Sequence, residues 1–364
     1  MHQRASDEAL ELARLGWDPQ WESAFSSYAE RGFLPARVAV EHRSTYLIYG
    51  QLGELSAQIS GRFRHDASTS DLPAVGDWVA ATPHNERSAI IHGVLPRRTK
   101  FSRKVAWLET EEQILAANID VAFIVFPLDG NLRPRGLERY ATMAWDSGAD
   151  PVIVLTKSDL CDDVRTVEQE VRALAPGAPV QSVSAITGDG VETVRSFLTP
   201  NRTAALLGPS GVGKSTLVNA LYGRDLQEVH EIRFDGRGRH TTTRRELILL
   251  PGGGQIIDTP GLRELQLWDP GAGLHQAFDD IERFAEECRF RDCSHTGEPG
   301  CAVAMAVTDG ALDGNRVSNY HKLQRELRHL ETRRDARARA EERRRNRALN
   351  RSQRDMLKAR GKRR

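Results

Sequence analysis

The run Gly208-Pro209-Ser210-Gly211-Val212-Gly213-Lys214-Ser215-Thr216 fits the spacing G-x-x-x-x-G-K-[ST] at every constrained position. Glycines there let successive backbone amides turn inward around phosphate oxygens, and the helix that follows adds the positive end of its dipole. Lys214 is placed to bridge the β- and γ-phosphates of a nucleotide, and the Ser215 hydroxyl to hold Mg²⁺. The flanks suit the motif. Arg202 to Leu207 is a short, mostly apolar run of the kind that forms a buried parallel strand, and Thr216 to Leu221 has helical spacing. Further on, Gly254-Gln255-Ile256-Ile257 reads as a strand that ends at Asp258 and the turn Thr259-Pro260-Gly261. An aspartate so placed reaches Mg²⁺, and the Gly261 amide can meet the γ-phosphate.

Base choice rests on residues upstream. Ala149 to Leu155 reads as a strand with Thr156-Lys157-Ser158-Asp159 at its end. A carboxylate in that place accepts from guanine N1 and N2, while the lysine stem packs on the base. Adenine lacks this donor pair, so with ATP a buried Asp159 would stay unpaired. The usual first residue of such a motif is Asn. Thr156 stands there instead, a departure that weakens the expected tethering of the loop. After the strand-like Pro179 to Val183, Ser184-Ala185 offers a backbone amide to guanine O6. The set favours GTP and GDP over ATP, and its order is unusual. The base-reading residues precede the phosphate loop, whereas an ordinary G protein has the reverse.

Between the phosphate loop and Asp258, Arg233 to Thr243 reads RFDGRGRHTTT, with no apolar periodicity. A first switch belongs here, since switches come from segments of low local stability. One threonine of Thr241-Thr242-Thr243, with Thr241 or Thr242 preferred, is expected to cap Mg²⁺ and the γ-phosphate in the GTP state. Hydrolysis needs a group to orient water, and after Gly261 the chain has Leu262, which cannot do so. Intrinsic turnover should therefore be slow. His240 is the catalytic candidate in cis, because an imidazole can position or deprotonate water; a histidine merely exposed on a loop is the competing reading. Gly211 occupies the place where potassium-activated GTPases carry Asn, so no potassium dependence is expected.

A second constellation, Cys288, Cys293, His295 and Cys301, has the spacing C-x4-C-x-H-x5-C. Three thiolates and one imidazole satisfy tetrahedral Zn²⁺ with no open position, the pattern of a structural site. The chain's one other cysteine is Cys161. An odd cluster of thiols beside a histidine, in a chain with no secretory signal, argues against disulfides.

Around these residues the chain must build at least two kinds of scaffold. From Ala36 to about Leu108 it runs in short alternating segments. Arg37–Glu41, Thr45–Tyr49, Leu55–Ile59, Asp77–Ala81 and Ala89–Leu95 are five strand candidates that suit a small barrel such as an OB-fold. Arg62, Arg64, Arg97, Arg98, Lys100, Arg103 and Lys104 add positive charge around it, as on many RNA-binding barrels. Ile119 to Phe126 then opens a βαβ rhythm, with a helix from Leu137 to Trp145, that continues to about Leu265 and implies a doubly wound, mainly parallel sheet. The division expected is an N-terminal helical, peripheral extension over 1–35, a barrel over 36–108, the nucleotide domain over 109–265, a zinc-binding helical domain over 266–320 and a basic tail over 321–364. Because Leu262-Arg263-Glu264-Leu265 leads straight towards the zinc region, nucleotide state is expected to reorient the zinc domain.

Net charge is +1, which conceals an asymmetry. From His321 onward 18 Lys or Arg face 6 Asp or Glu, so the last 44 residues carry +12, while the other 320 carry −11 of the chain's 51 basic and 50 acidic groups. A segregated arginine-rich tail argues for nucleic acid, since the guanidinium pairs bidentately with phosphates and stacks on bases. Leu323, Leu327 and Leu330 have helical spacing, which places the start of this tail on the zinc domain. No apolar run approaches membrane-spanning length, and the N-terminus lacks a signal pattern, so a soluble, cytoplasmic, monomeric protein is expected.

Taken together, the permuted motif order, the GRHTTT run, the DTPGLREL segment and the Cys-Cys-His-Cys set resemble the ribosome small subunit-dependent GTPase family, often called RsgA or YjeQ. The resemblance spans about Arg37 to Tyr320. It implies an OB-fold, a circularly permuted GTPase domain and a C-terminal zinc domain. It also implies GTP hydrolysis during late maturation of the small (30S) subunit, stimulated by that subunit and with its 16S rRNA as a contact. The alternative is a non-ribosomal switch GTPase whose zinc domain recruits proteins.

Overall fold

Short alternating runs near the N-terminus close into a barrel in the computed structural model, which describes residues 11–42, 45–105, 108–130, 133–223, 245–258 and 272–328. Its strands are β1 (Leu34–His42), β2 (Thr45–Gly50), β3 (Gly53–Ile59), β4 (Trp78–Asn85) and β5 (Ser88–Val94), matching the five expected. β1 pairs antiparallel with both β2 and β4, β4 pairs with β5, and β5 runs parallel to β3, so no edge is left open. Val38, Ile48, Leu55, Val79 and Ile91 fill the interior. A short helix, α2 (Gly61–Asp66), follows β3.

Two features depart from expectation. A hairpin, β6 (Lys100–Val105) and β7 (Leu108–Ala117), forms a separate two-stranded sheet, so Lys100, Arg103 and Lys104 lie on a strand and not in barrel loops. The N-terminal segment is not peripheral. Leu12–Leu15 makes one 3₁₀ turn and α1 (Pro19–Ala29) starts at Pro19, its first amides capped by the Asp18 carboxylate. Leu15, Trp21 and Phe25 are buried, and Trp17 meets Trp78 of β4 edge to face at 4.7 Å. Aromatic residues spaced along one face of α1 bury too much apolar area to stay in water, and this seats the segment on the barrel.

The second sheet contains β8 (Val121–Pro127), β9 (Asp150–Thr156), β10 (Val180–Ser182), β11 (Thr203–Leu207), β12 (Arg245–Leu249) and β13 (Gln255–Asp258), in the order β10-β9-β8-β11-β13-β12. All pairings are parallel except that of β12. Every residue of β8 and β11 is buried, as strands covered on both faces must be. One cover includes α3 (Pro134–Ser147) and α4 (Val164–Leu174), whose Leu137, Ala141 and Val171 join Ile124, Leu155 and Ala205 in one core. The other includes α5 (Val191–Ser196) and α6 (Lys214–Tyr222), whose Val194 and Leu217 join Val125, Val154 and Ala204. β11 comes late in the chain yet lies at the centre of the sheet, between β8 and β13.

β12 also pairs antiparallel with β1 through Val40↔Glu246 and Glu41↔Arg245, which merges barrel and nucleotide sheet into one eleven-stranded sheet. Beyond it, α7 (Ala272–Ala277), α8 (Asp279–Ala285), α9 (Ala302–Thr308) and a helix over 314–328, here α10, make the C-terminal region. Leu323 and Leu327 are buried as their spacing implies; Leu330 and the tail after it lie outside the described residues. The Gly273 amide donates to Asp146 of α3 at 2.9 Å, so the C-terminal region is docked on the nucleotide domain.

Candidate nucleotide site and zinc centre

The phosphate loop joins β11 to α6, between strand and helix. Gly208 has φ +140°, and a Cβ there would sit 2.4 Å from the Val125 carbonyl oxygen of β8; glycine is required by close approach of two backbones. Gly213 has φ +94° and opens α6. Val212 is buried, while Pro209, Ser210, Gly211, Ser215 and Thr216 are exposed around the loop. The Lys214 ammonium donates to the carbonyls of Gly208, at 2.8 Å, and Pro209, which holds it against the loop's own backbone. Asp258 is exposed at the end of β13, which runs parallel to β11, the strand that leads into the phosphate loop.

The base-reading residues converge on the same end of the sheet. Thr156 is buried at the end of β9, and its hydroxyl donates to the Val212 carbonyl of the phosphate loop at 2.6 Å. Threonine thus supplies the tether that its replacement of Asn had put in question. A hydroxyl suffices because the loop carbonyl comes this close. Lys157 adopts φ +59°, which turns the chain sharply into the Ser158–Leu160 turn. Its ammonium pairs with the Asp129 carboxylate, just beyond β8, at 2.8 Å. Ser184 is buried and donates to Asp159 Oδ1 at 2.6 Å, so the two base-reading motifs are bonded to each other, with Ala185 half-buried beside them. Asp159 itself is exposed and already accepts from Ser184, whereas the expectation against ATP took it as buried and unpaired. His240, Thr241, Thr242, Gly261 and Leu262 lie outside the described residues.

Cys288, Cys293, His295 and Cys301 come together as their spacing implies, with ligand atoms all within 4.8 Å of one another. Cys288 Sγ lies 3.5 Å from His295 Nδ1 and 4.0 Å from Cys301 Sγ, and Cys301 Sγ lies 3.6 Å from that nitrogen. A tetrahedron with Zn–S of about 2.3 Å and Zn–N of about 2.0–2.1 Å has edges of about 3.8 Å between sulfurs and about 3.6 Å from sulfur to nitrogen. The donor set fits one structural Zn²⁺. Burial opposes ionisation of the Cys288 thiol, but the amides of Val303 and Ala302 and the thiols of Cys293 and Cys301 together hold it below its ordinary value, while Cys293 is pushed up to about 11. His295 sits at φ +58°, and Glu298 holds that turn by accepting from the amides of Ser294, at 3.0 Å, and Thr296, at 2.8 Å. Its carboxyl is lowered to about 2, chiefly by the Ser294 hydroxyl. Sequence reasoning missed Glu298 and Asp129. The run Ser294-His-Thr-Gly-Glu298 carried a turn signal for the first, and nothing local marked the second.

A family model described as RsgA GTPase matches residues 94–268, and one described as 50S ribosome-binding GTPase matches residues 203–337. A protein of Opitutus terrae named small ribosomal subunit biogenesis GTPase RsgA is 47% identical over 329 residues, covering 87% of this chain and 90% of its own length. One of the same name from Streptomyces avermitilis is 45% identical, covering 93% and 92%. The crystal structure of YjeQ from Thermotoga maritima superposes with a TM-score of 0.61 at 27% identity, over 81% of this chain and 98% of that one. That of YloQ, described as a circularly permuted GTPase, gives 0.60 at 24% identity over 82% and 96%, and so bears on the fold alone. With Thr156 bonded to a phosphate loop that follows it in sequence, and relatives this similar over most of its length, the chain belongs to the RsgA GTPase family.

Proposed function

We propose that this protein is a GTP hydrolase that binds the small ribosomal subunit, turns over GTP there and assists the subunit's biogenesis. The observation that best supports the reading is the Thr156–Val212 hydrogen bond, which joins the loop expected to read the base to the loop expected to bind phosphate. The chain that bears it is 47% identical to a small ribosomal subunit biogenesis GTPase. The non-ribosomal switch finds no support among these relatives.

In this reading Gly208 to Thr216 cradle the phosphates, Thr156 to Asp159 with Ser184 and Ala185 read guanine, and Ser215 and Asp258 hold the Mg²⁺ that enters with GTP. Mg²⁺, when bound, neutralises charge on the β- and γ-phosphates. Lys214 supplies a second positive charge to the same oxygens, and the buried Thr156 keeps the loop from opening. His240 is the candidate for positioning the attacking water, Thr241 or Thr242 for capping Mg²⁺ and the γ-phosphate, and the Gly261 amide for meeting that phosphate. Zinc at Cys288, Cys293, His295 and Cys301 stabilises the fold of the C-terminal region. The divisions at about residues 36, 109, 266 and 321 give the barrel, nucleotide, zinc and tail units distinct tasks, and the protein works as a cytoplasmic monomer. The +12 charge of the last 44 residues supports contact with 16S rRNA.

Hydrolysis of GTP by the purified protein, alone and with small or large subunits, tests this. A large acceleration specific to the small subunit is the expected outcome. Acceleration by large subunits alone would move the docking partner, in line with the 50S-binding family model over 203–337. None from either would remove the ribosomal reading.

A further inference from the structure

Lys157 carries the charged head of the base-reading loop, and the group that holds that head belongs to none of the recognised motifs. β8 and β9 run parallel with Pro127 level with Thr156, and the Leu128 amide donates to the Thr156 carbonyl at 2.7 Å. The chain after β8 is thereby laid along the base-reading loop. Asp129, the next residue, reaches Lys157 Nζ at 2.8 Å, with both side chains about two-thirds or more withdrawn from solvent. Lys157 is held in the left-handed region, φ +59°, so its backbone direction is set as well.

We propose that Asp129 is a positioning residue for base recognition: it holds Lys157 so that the lysine's aliphatic stem lies ready to pack against the plane of the bound base. This rests on the guanine-nucleotide reading of the site. A long lysine loses side-chain entropy when it is ordered. A carboxylate that orders it beforehand removes that penalty from the binding step. The contact so prepared is with the face of the ring, which guanine and hypoxanthine share. The discriminating contact, at the purine edge, belongs to Asp159. The two carboxylates therefore do separable work: Asp129 sets how tightly any such purine is held, and Asp159 sets which one.

Displacement of fluorescent mant-GDP from the full-length protein by GDP and by IDP separates these roles. Asp129→Asn is expected to weaken GDP and IDP about equally, by about tenfold, equivalent to about 1.4 kcal/mol, with the loss in turnover falling mainly on KM. Lys157→Met should show the same pattern, and the double variant should be no worse than Lys157→Met alone. Asp159→Asn should instead change the ratio of GDP to IDP affinity. Asp129→Glu, which keeps the charge, should recover part of the loss. The proposal is overturned if Asp129→Asn binds GDP like the wild type, if it shifts the GDP to IDP ratio, or if the double variant shows the two losses simply added. If Asp129→Asn fails to fold, Lys157→Met must still show an equal loss for the two nucleotides, and the idea falls if it does not. Failure of the wild-type protein to bind either nucleotide would overturn the guanine reading itself, a distinct result.

Discussion

Two arginines hold the described N-terminal and C-terminal segments onto the nucleotide domain, Arg37 at its sheet and Arg316 at its helix α3, and they do so with opposite chemistry. Arg37, on β1, is 2% exposed, and among the described residues its hydrogen-bond partners are all neutral oxygens. It donates to Gln255 Oε1 at 2.6 Å, Thr203 Oγ1 at 2.8 Å, the carbonyls of Asn118 at 3.1 Å and Gly76 at 3.2 Å, and the Leu15 carbonyl. N-terminal segment, barrel and nucleotide sheet thus meet on one guanidinium, which also lies over the Trp78 ring at 5.5 Å. Arg316, on α10, is 4% exposed and is charge-paired with Glu138 of α3 at 2.8 Å and Asp280 of α8 at 2.7 Å. Burial pulls Arg37 down to about 10, with Asp120 and Asp77 opposing from a distance. The same burial acts on Arg316, but Asp280 and Glu138 outweigh it and hold the group above its ordinary value. A socket of neutral oxygens works through geometry, so every segment that lends an oxygen must stay in register. An ion pair works through charge, and it leaves a buried carboxylate exposed to loss of its partner.

The zinc centre adds a dependence that only the C-terminal junction has. Structural zinc contributes about 10–16 kcal/mol of binding free energy in small metal-bound domains. Stripping the metal with a chelator should therefore raise hydrogen exchange through α8 and α9, while amides of β1 and β13 around Arg37 keep their protection. Equal loss at both ends would break the distinction. Next in size is Arg316→Met, which strands the buried Glu138 and should cost about 3–5 kcal/mol in chemical denaturation. Glu138→Gln should cost less, because Asp280 still pairs with Arg316. Arg37→Met leaves carbonyls without a donor but no buried charge, and about 1–3 kcal/mol is expected. A larger loss than for Arg316→Met would reverse the comparison.

The smallest effect concerns the edge of the first junction. Asp18 caps α1 and pairs with Arg98 at 2.5 Å, chiefly through the hydrogen bond that lowers its carboxyl from 3.8 to about 2. A folded-state value below the unfolded one means that this contribution is complete above about pH 4 and is lost as pH falls through about 2. The difference in thermal midpoint between wild type and Asp18→Asn should accordingly be small near pH 5 and vanish towards pH 2. A difference that grew on acidification would mean that the pair does not set the shift. Solvent reaches both side chains, which keeps the effect small.

The same division runs through the nucleotide site. Its phosphate loop was legible because the motif is local: glycine positions, lysine and serine within one turn between strand and helix meet phosphate through backbone geometry that neighbours dictate. The zinc ligands were legible for a like reason, four donors within one short stretch. The hairpin of β6 and β7 was not legible: Lys100, Arg103 and Lys104 stand out as positive charge around the barrel, and that charge masks the alternation of a two-stranded ribbon. The expected reorientation of the zinc domain rested on 262–265, which lie outside the described residues, while Arg316 and Asp146 tie the C-terminal region to α3.

By itself the sequence determined the chemistry of this protein: the separate motifs of a GTP site, a tetrahedral metal set and a strongly basic C-terminus, each motif written in residues close together along the chain. Tertiary structure alone decided how those parts are held. Thr156 meets Val212 across 56 positions, Arg316 meets Glu138 across 178, and Arg37 meets Gln255 across 218. Burial turns such pairs into strong constraints, because a polar group withdrawn from water must find a partner wherever the fold brings one. No periodicity or spacing records that partner, since it is chosen by the packing of strands and helices that are remote in the chain.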